Sequence, residues 1–267
     1  MYKEYFGFKN QPFCKDISTE DLFHYEGFGR YESSMDLLKK HGGIGVLWGG
    51  AGSGKSAALR WLDSQLNENL YRFCYLPYPP NSTTELYRSI AVALDLQPAY
   101  RRMDIYRQIQ EHIAQMVQDR KITPVIALDE CQMYSHQVLQ AVRLFLNFEF
   151  NSRDYVILLL CGQTKFRKRL RYAVYEPLVQ RVTTQHQFTG LTAEEIEPYL
   201  AHRLGVAGVA HPLFEPPAAE FIYQVTKGVF RKIDLLCVQS LQRAAEEKMK
   251  TVGQPTVEQA LKQNFWA

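Results

Sequence analysis

The chain has 267 residues, with 31 Lys and Arg against 28 Asp and Glu and a formal net charge of +3. Hydrophobic residues make up 46% of the chain and charged residues 22%, which is typical of globular proteins and excludes a disordered or fibrous chain. This mild charge balance indicates a nucleic-acid partner only if basic residues gather in a local patch. The length suits one large or two small domains.

Short runs of strand type alternate with helical patterns up to Phe188. This alternation predicts an α/β fold with a parallel sheet and crossover helices on both of its faces. The predicted strands are residues 44–48, 72–76, 124–128, 155–161 and 182–188. The predicted helices between them are residues 56–66, 84–94, 104–119, 136–148 and 164–170.

The strand pattern stops after Phe188, and helical patterns follow. Thr192 and Glu195 have the spacing of a capping box, which predicts a helix that runs to about Leu204. Further helices are predicted at residues 218–226, 231–250 and 256–264. The sequence therefore predicts an α/β domain over residues 1–189, including an N-terminal extension over residues 1–40, and a small helical domain over residues 190–267.

Cysteine spacing and apolar runs give further expectations. The five cysteines form no CxxC pair, so we expect reduced and mostly buried thiols. The N-terminus lacks the apolar segment of a signal peptide. The longest apolar run, residues 155–161, is far shorter than the ~20 residues that cross a bilayer. We expect a soluble cytoplasmic protein with no membrane partner.

A glycine-rich segment lies between the first predicted strand and the next helix. Residues 49–56 read Gly-Gly-Ala-Gly-Ser-Gly-Lys-Ser and fit the pattern G-x-x-x-x-G-K-[ST]. Glycines let successive N–H groups point at phosphates, and the helix N-terminus adds a positive dipole end. Lys55 can reach the β and γ phosphate oxygens, and the Ser56 hydroxyl can ligate Mg²⁺. The predicted ATP ligands in this phosphate loop are Gly49, Gly50, Ala51, Gly52, Ser53, Gly54, Lys55, Ser56 and Ala57.

An acidic pair, Asp129 and Glu130, follows the buried strand at residues 124–128. In P-loop enzymes an Asp at this strand end holds Mg²⁺, and a Glu directly after it can act as the general base on the attacking water. Alternatively, the two acids cap the helix near His136. Combined with the phosphate loop, the pair predicts ATP hydrolysis with Mg²⁺.

Other stretches narrow this prediction. They are Tyr-Phe-Gly-Phe-Lys-Asn-Gln-Pro-Phe at 5–13, Asp-Glu-Cys-Gln at 129–132, Leu-Phe-Leu-Asn-Phe-Glu at 144–149, Leu-Leu-Cys-Gly-Gln at 159–163 and Gly-Val-Phe-Arg at 228–231. Together with the phosphate loop and the acidic pair, they resemble the AAA+ ATPases of the ExeA-like, MuB-like and TnsC/TniB-like group over essentially the full chain. Cys131 departs from the alanine of that group.

The resemblance implies roles for three more residues. Gln163 matches the sensor-1 position, which orients the lytic water, although Thr164 is also a polar candidate. Arg181 matches the arginine finger that is offered to the nucleotide of a neighbouring subunit, and Arg231 matches sensor 2 in a helical lid. A surface salt bridge is the alternative for each arginine. A finger supplied by another subunit implies a homo-oligomer, either a ring or a filament.

Basic clusters provide candidate DNA contacts. In the similar ATPases the loop that here carries Arg101 and Arg102 faces DNA inside the assembly, so the resemblance assigns these two residues to the DNA backbone, with a solvated loop as the alternative. Residues 165–171 hold five basic side chains and can instead contact DNA or another subunit, or form a solvated helix. Residues 120–121 are a weaker candidate. Arginines that contact DNA phosphates position a protein on the duplex without recognising the base sequence.

The resemblance therefore implies an ATP-dependent oligomer that binds double-stranded DNA and regulates transposition. Its partners would be a DDE-type transposase and, as a further candidate, a target-selection protein. The alternatives are an ExeA-type ATPase of secretion or cell-envelope assembly and a signalling or defence NTPase. ExeA-type proteins continue into a membrane span and a peptidoglycan-binding domain, and this chain ends at Ala267 without them, which favours the transposition hypothesis.

Overall fold

The computed structural model describes residues 2–148 and 155–264. Within them the chain forms two units, one from Arg30–Ala51 and Ala58–Phe188, and one from the described parts of Met1–Gly29, Gly52–Ala57 and Thr189–Ala267. The predicted α/β domain includes residues 1–40, whereas in the structure residues up to Gly29 group with the C-terminal helices. Glu149 of the motif stretch 144–149 and residues 265–267 of the predicted helical domain lie outside the described residues.

The first unit, called the sheet unit here, is built on a five-stranded parallel sheet. Its strands are β1 (Gly43–Gly49), β2 (Tyr71–Leu76), β3 (Thr123–Leu128), β4 (Ile157–Gly162) and β5 (Val182–Phe188). Their ends agree with the predicted ranges to within one residue, except that β4 begins two residues later. The order across the sheet is β2-β3-β4-β1-β5, and every neighbouring pair is parallel. This confirms the predicted α/β fold.

Burial along the strands follows their position in the sheet. Every residue of β1 and β4 is buried, because both strands have a neighbour on each side and helices on each face. The edge strand β5 alternates buried and exposed residues after its first position, with Thr184, His186 and Phe188 buried. This alternation is typical of a strand with one covered face.

Helices cover both faces of the sheet. The helices along this part of the chain are α2 (Glu26–His41), α3 (Lys55–Gln65), α4 (Thr83–Ala93), α5 (Arg102–Gln118), α6 (His136–Phe145), α7 (Thr164–Arg169) and α8 (Glu176–Val179). The apolar faces of α4, α5 and α6 share one buried cluster with Val46, Ile126 and Leu158 of the sheet. On the other face, Tyr31 of α2 packs its ring against His186 and Phe188 of β5 and donates a hydrogen bond to the carbonyl oxygen of Ala58.

The second unit, called the helical unit here, packs the N-terminal segment against the C-terminal helices. Apart from the first residues of α2 and α3 that the unit includes, it contains the helices α1 (Tyr2–Tyr5), α9 (Ala193–Val206), α10 (Pro216–Thr226), α11 (Phe230–Glu246) and α12 (Gln254–Leu261). The predicted capping box of Thr192 and Glu195 is present at the start of α9. The Arg203 guanidinium donates a 2.8 Å hydrogen bond to the Cys14 carbonyl oxygen, which ties the two ends of the sequence together.

The cysteines agree with the expectation of reduced, mostly buried thiols. All five cysteines are free, and Cys74, Cys131, Cys161 and Cys237 are buried while Cys14 is partly buried. Among the residues that the structure describes, no helix combines the length and the apolar character needed to cross a bilayer.

Candidate functional site

The phosphate loop connects β1 to α3. β1 ends at Gly49 and α3 begins at Lys55, so Lys55 and Ser56 occupy the first turn of the helix. The first N–H groups of a helix lack partners within the helix and favour anions. The observed order of strand, loop and helix is therefore the one that the motif requires for phosphate binding.

Within the helical unit, the phosphate loop lies against the start of α11. Gly52 has φ +76°, and a Cβ atom placed there would lie 2.6 Å from the Cβ of Arg231. Such a distance is a clash, so this close approach requires glycine. The Arg231 N–H donates a 3.3 Å hydrogen bond to the Gly52 carbonyl oxygen. The structure therefore brings the sensor-2 candidate directly to the phosphate loop.

Ser53 supplies a second indication that the loop accommodates a polar ligand. Its side chain is only 3% exposed, and its Oγ has no hydrogen-bond partner among the described residues. A buried hydroxyl without a partner costs free energy, which a phosphate oxygen would recover by accepting its hydrogen. The loop is therefore chemically suited to a triphosphate.

The acidic pair lies where β3 ends. Asp129 is 6% exposed and accepts a 2.7 Å hydrogen bond from the Tyr75 hydroxyl of β2 and another of 2.7 Å from the Glu130 N–H. Burial is the main cause that raises the pKa of Tyr75, and the hydrogen bond to Asp129 and the charge of Asp129 raise it further. The Tyr75 hydroxyl therefore remains a donor. These two bonds orient the Asp129 carboxylate, the type of oxygen ligand that Mg²⁺ prefers.

Glu130 sits in a special backbone conformation. Its φ of 52° and ψ of 34° are left-handed, and it precedes a 3₁₀ turn over Cys131–Met133. Non-glycine residues in this region concentrate at functional sites. The Glu130 carboxylate accepts a hydrogen bond from the Gln132 side-chain amide. The backbone conformation and this hydrogen bond together fix the orientation of the carboxylate.

Gln163 also lies at this edge of the sheet. It follows β4, and its backbone N–H donates a 2.9 Å hydrogen bond to Gln132 Oε1. The sheet order places β4 between β1 and β3, so the carboxyl ends of the strands that precede the phosphate loop, Gln163 and the acidic pair are adjacent. In open α/β sheets, ligands bind at the carboxyl ends of the strands. Gln132 belongs to the motif stretch 129–132, but the sequence alone predicts no role for it.

Arg181 lies just before β5 and has partners within its own chain. It donates a 2.6 Å hydrogen bond to Asn147 Oδ1 and a 3.4 Å hydrogen bond to the carbonyl oxygen of Arg143. Both partners lie at the end of α6, and neither is an acid. A finger role toward a neighbouring subunit would therefore require Arg181 to exchange these neutral partners for phosphate oxygens.

The loop between α4 and α5 is exposed and basic. Arg101 and Arg102 are both exposed at the start of α5, and the side chain of Tyr100 is 89% exposed. Arg88 of α4 is also exposed and donates a 3.4 Å hydrogen bond to the Tyr100 carbonyl oxygen. We call Arg88, Tyr100, Arg101 and Arg102 the basic tip. Sequence reasoning missed Arg88, which lies twelve residues from Tyr100 along the chain.

The basic segment 165–171 is less available than its sequence indicates. Arg169 donates hydrogen bonds to the Tyr175 hydroxyl and to the Tyr134 carbonyl oxygen. The Arg167 guanidinium lies 5.4 Å from the centre of the Trp48 ring. The residues of the segment that remain exposed and basic are Lys165, Lys168 and Arg171. Arg120 and Lys121 are also exposed, and Lys121 donates to the carbonyl oxygen of Gln118.

A metal site made by the protein alone is not found in the described residues, since no group of three or more His, Cys, Asp or Glu side chains there could hold an ion. The Asp129 carboxylate and the Ser56 hydroxyl are each of the oxygen-ligand type that Mg²⁺ takes, and this ion usually binds one or two protein ligands together with substrate phosphates and waters.

The parallel sheet, the phosphate loop after β1 and the acidic pair after β3 define a P-loop ATPase fold of the AAA+ type. Residues 38–170 match the family model described as AAA domain. General secretion pathway protein A of Aeromonas hydrophila is 28% identical over 246 residues, covering 90% of this chain and 44% of that protein. The present chain thus spans less than half the length of this relative.

Two solved structures share the fold at low sequence identity. Cdc6p from Pyrobaculum aerophilum has a TM-score of 0.72 at 16% identity, and the match covers 94% of this chain and 70% of that one. The Aeropyrum pernix ORC1 protein in complex with DNA has a TM-score of 0.66 at 16% identity, covering 94% and 68%. These comparisons confirm the P-loop α/β fold that the sequence predicts.

Proposed function

We propose that this protein binds Mg²⁺-ATP and hydrolyses it. The N–H groups of the phosphate loop and the Lys55 ammonium hold the triphosphate, and Ser56 and Asp129 hold Mg²⁺, which supplies charge neutralisation on the phosphates. Glu130 takes the proton of the attacking water as general base. Gln163 orients that water, and Arg231 stabilises the charge that develops on the transferred phosphoryl group.

The observation that carries this proposal is the position of the acidic pair. Asp129 and Glu130 are oriented by separate hydrogen bonds at the end of β3, at the same edge of the sheet from which the phosphate loop leaves β1. An acidic pair that merely capped α6 would not need Glu130 in a left-handed conformation, because Ser135 already caps that helix through its side chain. The geometry therefore favours catalysis over the capping alternative.

Oligomerisation forms the second part of the proposal. Arg181 completes the nucleotide site of a neighbouring copy, so ATP stabilises the contact between copies. Its present partners, Asn147 and the Arg143 carbonyl, are neutral acceptors, whereas phosphate oxygens are charged and can pair with both arms of the guanidinium. The exchange is therefore favourable once a triphosphate is presented. Hydrolysis then weakens the contact and disassembles the ring or filament.

The basic tip is the proposed contact with double-stranded DNA. Arg88 from the middle of α4 and Arg101 and Arg102 from the start of α5 contribute three exposed cations, and the Arg88 side chain reaches the Tyr100 carbonyl oxygen. Repeated around an oligomer, such tips replace a continuous row of counterions on the DNA backbone, which gives affinity without sequence preference. A DNA partner is compatible with the fold, since a structure that shares it contains DNA.

We assign this DNA-bound oligomer to the regulation of transposition. The motif stretches that resemble transposition regulators support a role in which the ATP-bound form selects target DNA, recruits a DDE-type transposase and activates it. A target-selection protein is a further possible partner. Residues 165, 168 and 171 are the alternative DNA contact.

Removal of the basic tip tests the DNA part. Arg101→Ala combined with Arg102→Ala is expected to weaken duplex binding about tenfold or more on every sequence, and to reduce the slope of log K against log salt by about one for each lost phosphate contact. Fluorescence anisotropy with ATP at several salt concentrations measures both quantities.

The matched control is Lys39→Ala combined with Lys40→Ala, which removes the same charge from α2. If both pairs of substitutions have equal effects, net charge rather than the basic tip binds DNA. If neither pair has an effect, the DNA contact lies elsewhere, and Lys165, Lys168 and Arg171 become the next residues to substitute.

A secretion role is the second candidate, and one observation favours it. The similarity to General secretion pathway protein A covers 90% of this chain. In this alternative, the same nucleotide chemistry drives an assembly step in the cell envelope. ATP-dependent, salt-sensitive binding to duplex DNA is expected only of the transposition regulator, so the anisotropy measurement on the unsubstituted protein separates the two candidates.

A further inference from the structure

We infer that Gln132 is a positioning residue that holds the Glu130 carboxylate and connects it to the end of β4. This inference rests on the proposed hydrolysis of ATP. It concerns a residue that touches the general base but has no place in the reaction described above.

Both ends of the Gln132 side-chain amide are used. Nε2 donates to Glu130 Oε2, and Oε1 accepts the Gln163 N–H at 2.9 Å. Among side chains of this length, a neutral amide alone offers a donor and an acceptor on one rigid plane. A carboxylate at position 132 could accept from Gln163 but could not donate to Glu130.

Gly162 provides an independent observation for this bridge. A Cβ atom at position 162 would lie 3.0 Å from Gln132 Oε1 and 2.9 Å from the Cβ of Phe166. The Phe166 side chain is fully buried and has little room to yield. A side chain at position 162 would therefore push the Gln132 amide away from the main chain of Gln163, so the glycine makes the bridge possible.

The bridge makes the acidic pair sensitive to α7. Gln163 is the N-cap residue of α7, and Arg169, the last residue of that helix, donates to the carbonyl oxygen of Tyr134, just after the 3₁₀ turn. The turn that carries Gln132 and the residue directly after it are thus hydrogen-bonded to the two ends of α7. A shift of α7 moves Gln132, and Gln132 carries the Glu130 carboxylate with it.

Substitutions of Gln132 separate positioning from binding. Gln132→Met keeps the approximate size and removes both hydrogen bonds, whereas Gln132→Glu keeps the acceptor and removes only the donor. Each is expected to lower kcat for ATP hydrolysis by about 10- to 100-fold, because small misplacement of a catalytic group has effects of this size. The Kd for ATP should stay within about twofold, since Gln132 does not bind phosphate in this proposal.

Gly162→Ala tests the same bridge from its other side. It should reproduce the loss of kcat. The double variant Gln132→Met with Gly162→Ala should be no slower than the slower single variant, because both changes break the same bridge between Glu130 and Gln163. Gln140→Ala is the matched control. Gln140 donates to the Val174 carbonyl oxygen, so this change also removes one glutamine hydrogen bond, and its kcat should match that of the unsubstituted protein.

The outcomes distinguish the inference from the proposed function. A protein that hydrolyses ATP and retains its kcat after both Gln132→Met and Gln132→Glu overturns the inference alone. A rise in Kd for ATP equal to the fall in kcat also overturns it, because the role would then be structural. Absence of hydrolysis by the unsubstituted protein with Mg²⁺ and duplex DNA overturns the proposed function, and the inference falls with it.

Discussion

Glu130→Gln is expected to lower kcat for ATP hydrolysis by about two to three orders of magnitude, because general-base catalysis contributes factors of this size. The amide keeps the shape of the side chain but cannot take a proton from water. Binding of ATP should remain within a few-fold, since the phosphate loop is unchanged. Phosphate release and equilibrium nucleotide binding, measured on the same preparation, check the two expectations.

Glu111→Gln is the matched control for this substitution. Glu111 is exposed on α5, so the change removes the same charge away from the acidic pair and should leave turnover unaltered. Normal turnover by Glu130→Gln would remove Glu130 as the base. A parallel loss of ATP binding would instead indicate that Glu130 holds the nucleotide or stabilises the site.

Lys55→Ala should weaken ATP binding by about 100-fold, which corresponds to the few kcal/mol lost when one partner of a desolvated charge pair is removed. The lysine is the cation that the motif places on the β and γ phosphates, and no backbone N–H group can replace its charge. Isothermal titration calorimetry measures the affinity, and circular dichroism checks whether the variant keeps its fold.

Lys40→Ala is the comparison for this substitution, because it removes an exposed lysine from the end of α2. Its affinity for ATP should equal that of the unsubstituted protein. Unchanged affinity in Lys55→Ala would mean that the glycine-rich segment is a structural turn rather than a phosphate site.

Much of the sheet can be predicted from local sequence. The strands β3 and β4 are buried on both faces and therefore read as nearly continuous apolar runs. The edge strand β5 retains an alternating pattern that is specific to strands. The phosphate loop and the acidic pair can likewise be predicted from the sequence, because each consists of neighbouring residues that directly follow a predicted strand.

The helix α2 was not predicted, although its apolar side chains Phe28, Tyr31, Met35 and Leu38 are buried at helical spacing. Gly27 and Gly29 at its start and two serines in its middle lower the helical propensity of the segment. Burial of these side chains overrides that propensity.

The grouping of the N-terminal segment with the C-terminal helices depends on contacts between distant parts of the chain. The His202 ring pairs with the Asp21 carbonyl oxygen across 181 positions, and Arg203 reaches Cys14 across 189. Neither pair leaves a periodic pattern in the sequence. For the same reason the partners of Gln132 and Arg181 could not be predicted, since they follow from the adjacency of β3 with β4 and from the position of α6.

In the proposed mechanism, ATP binding joins copies of this chain. Mass photometry of the Glu130→Gln protein with ATP, with ADP and without nucleotide, each in the presence and absence of duplex DNA, measures the assembly directly. We expect assemblies larger than a dimer with ATP, further stabilised by the duplex, and monomers with ADP or without nucleotide. If the protein stays monomeric at saturating ATP, both with and without duplex, ATP does not join the copies and the mechanism is wrong.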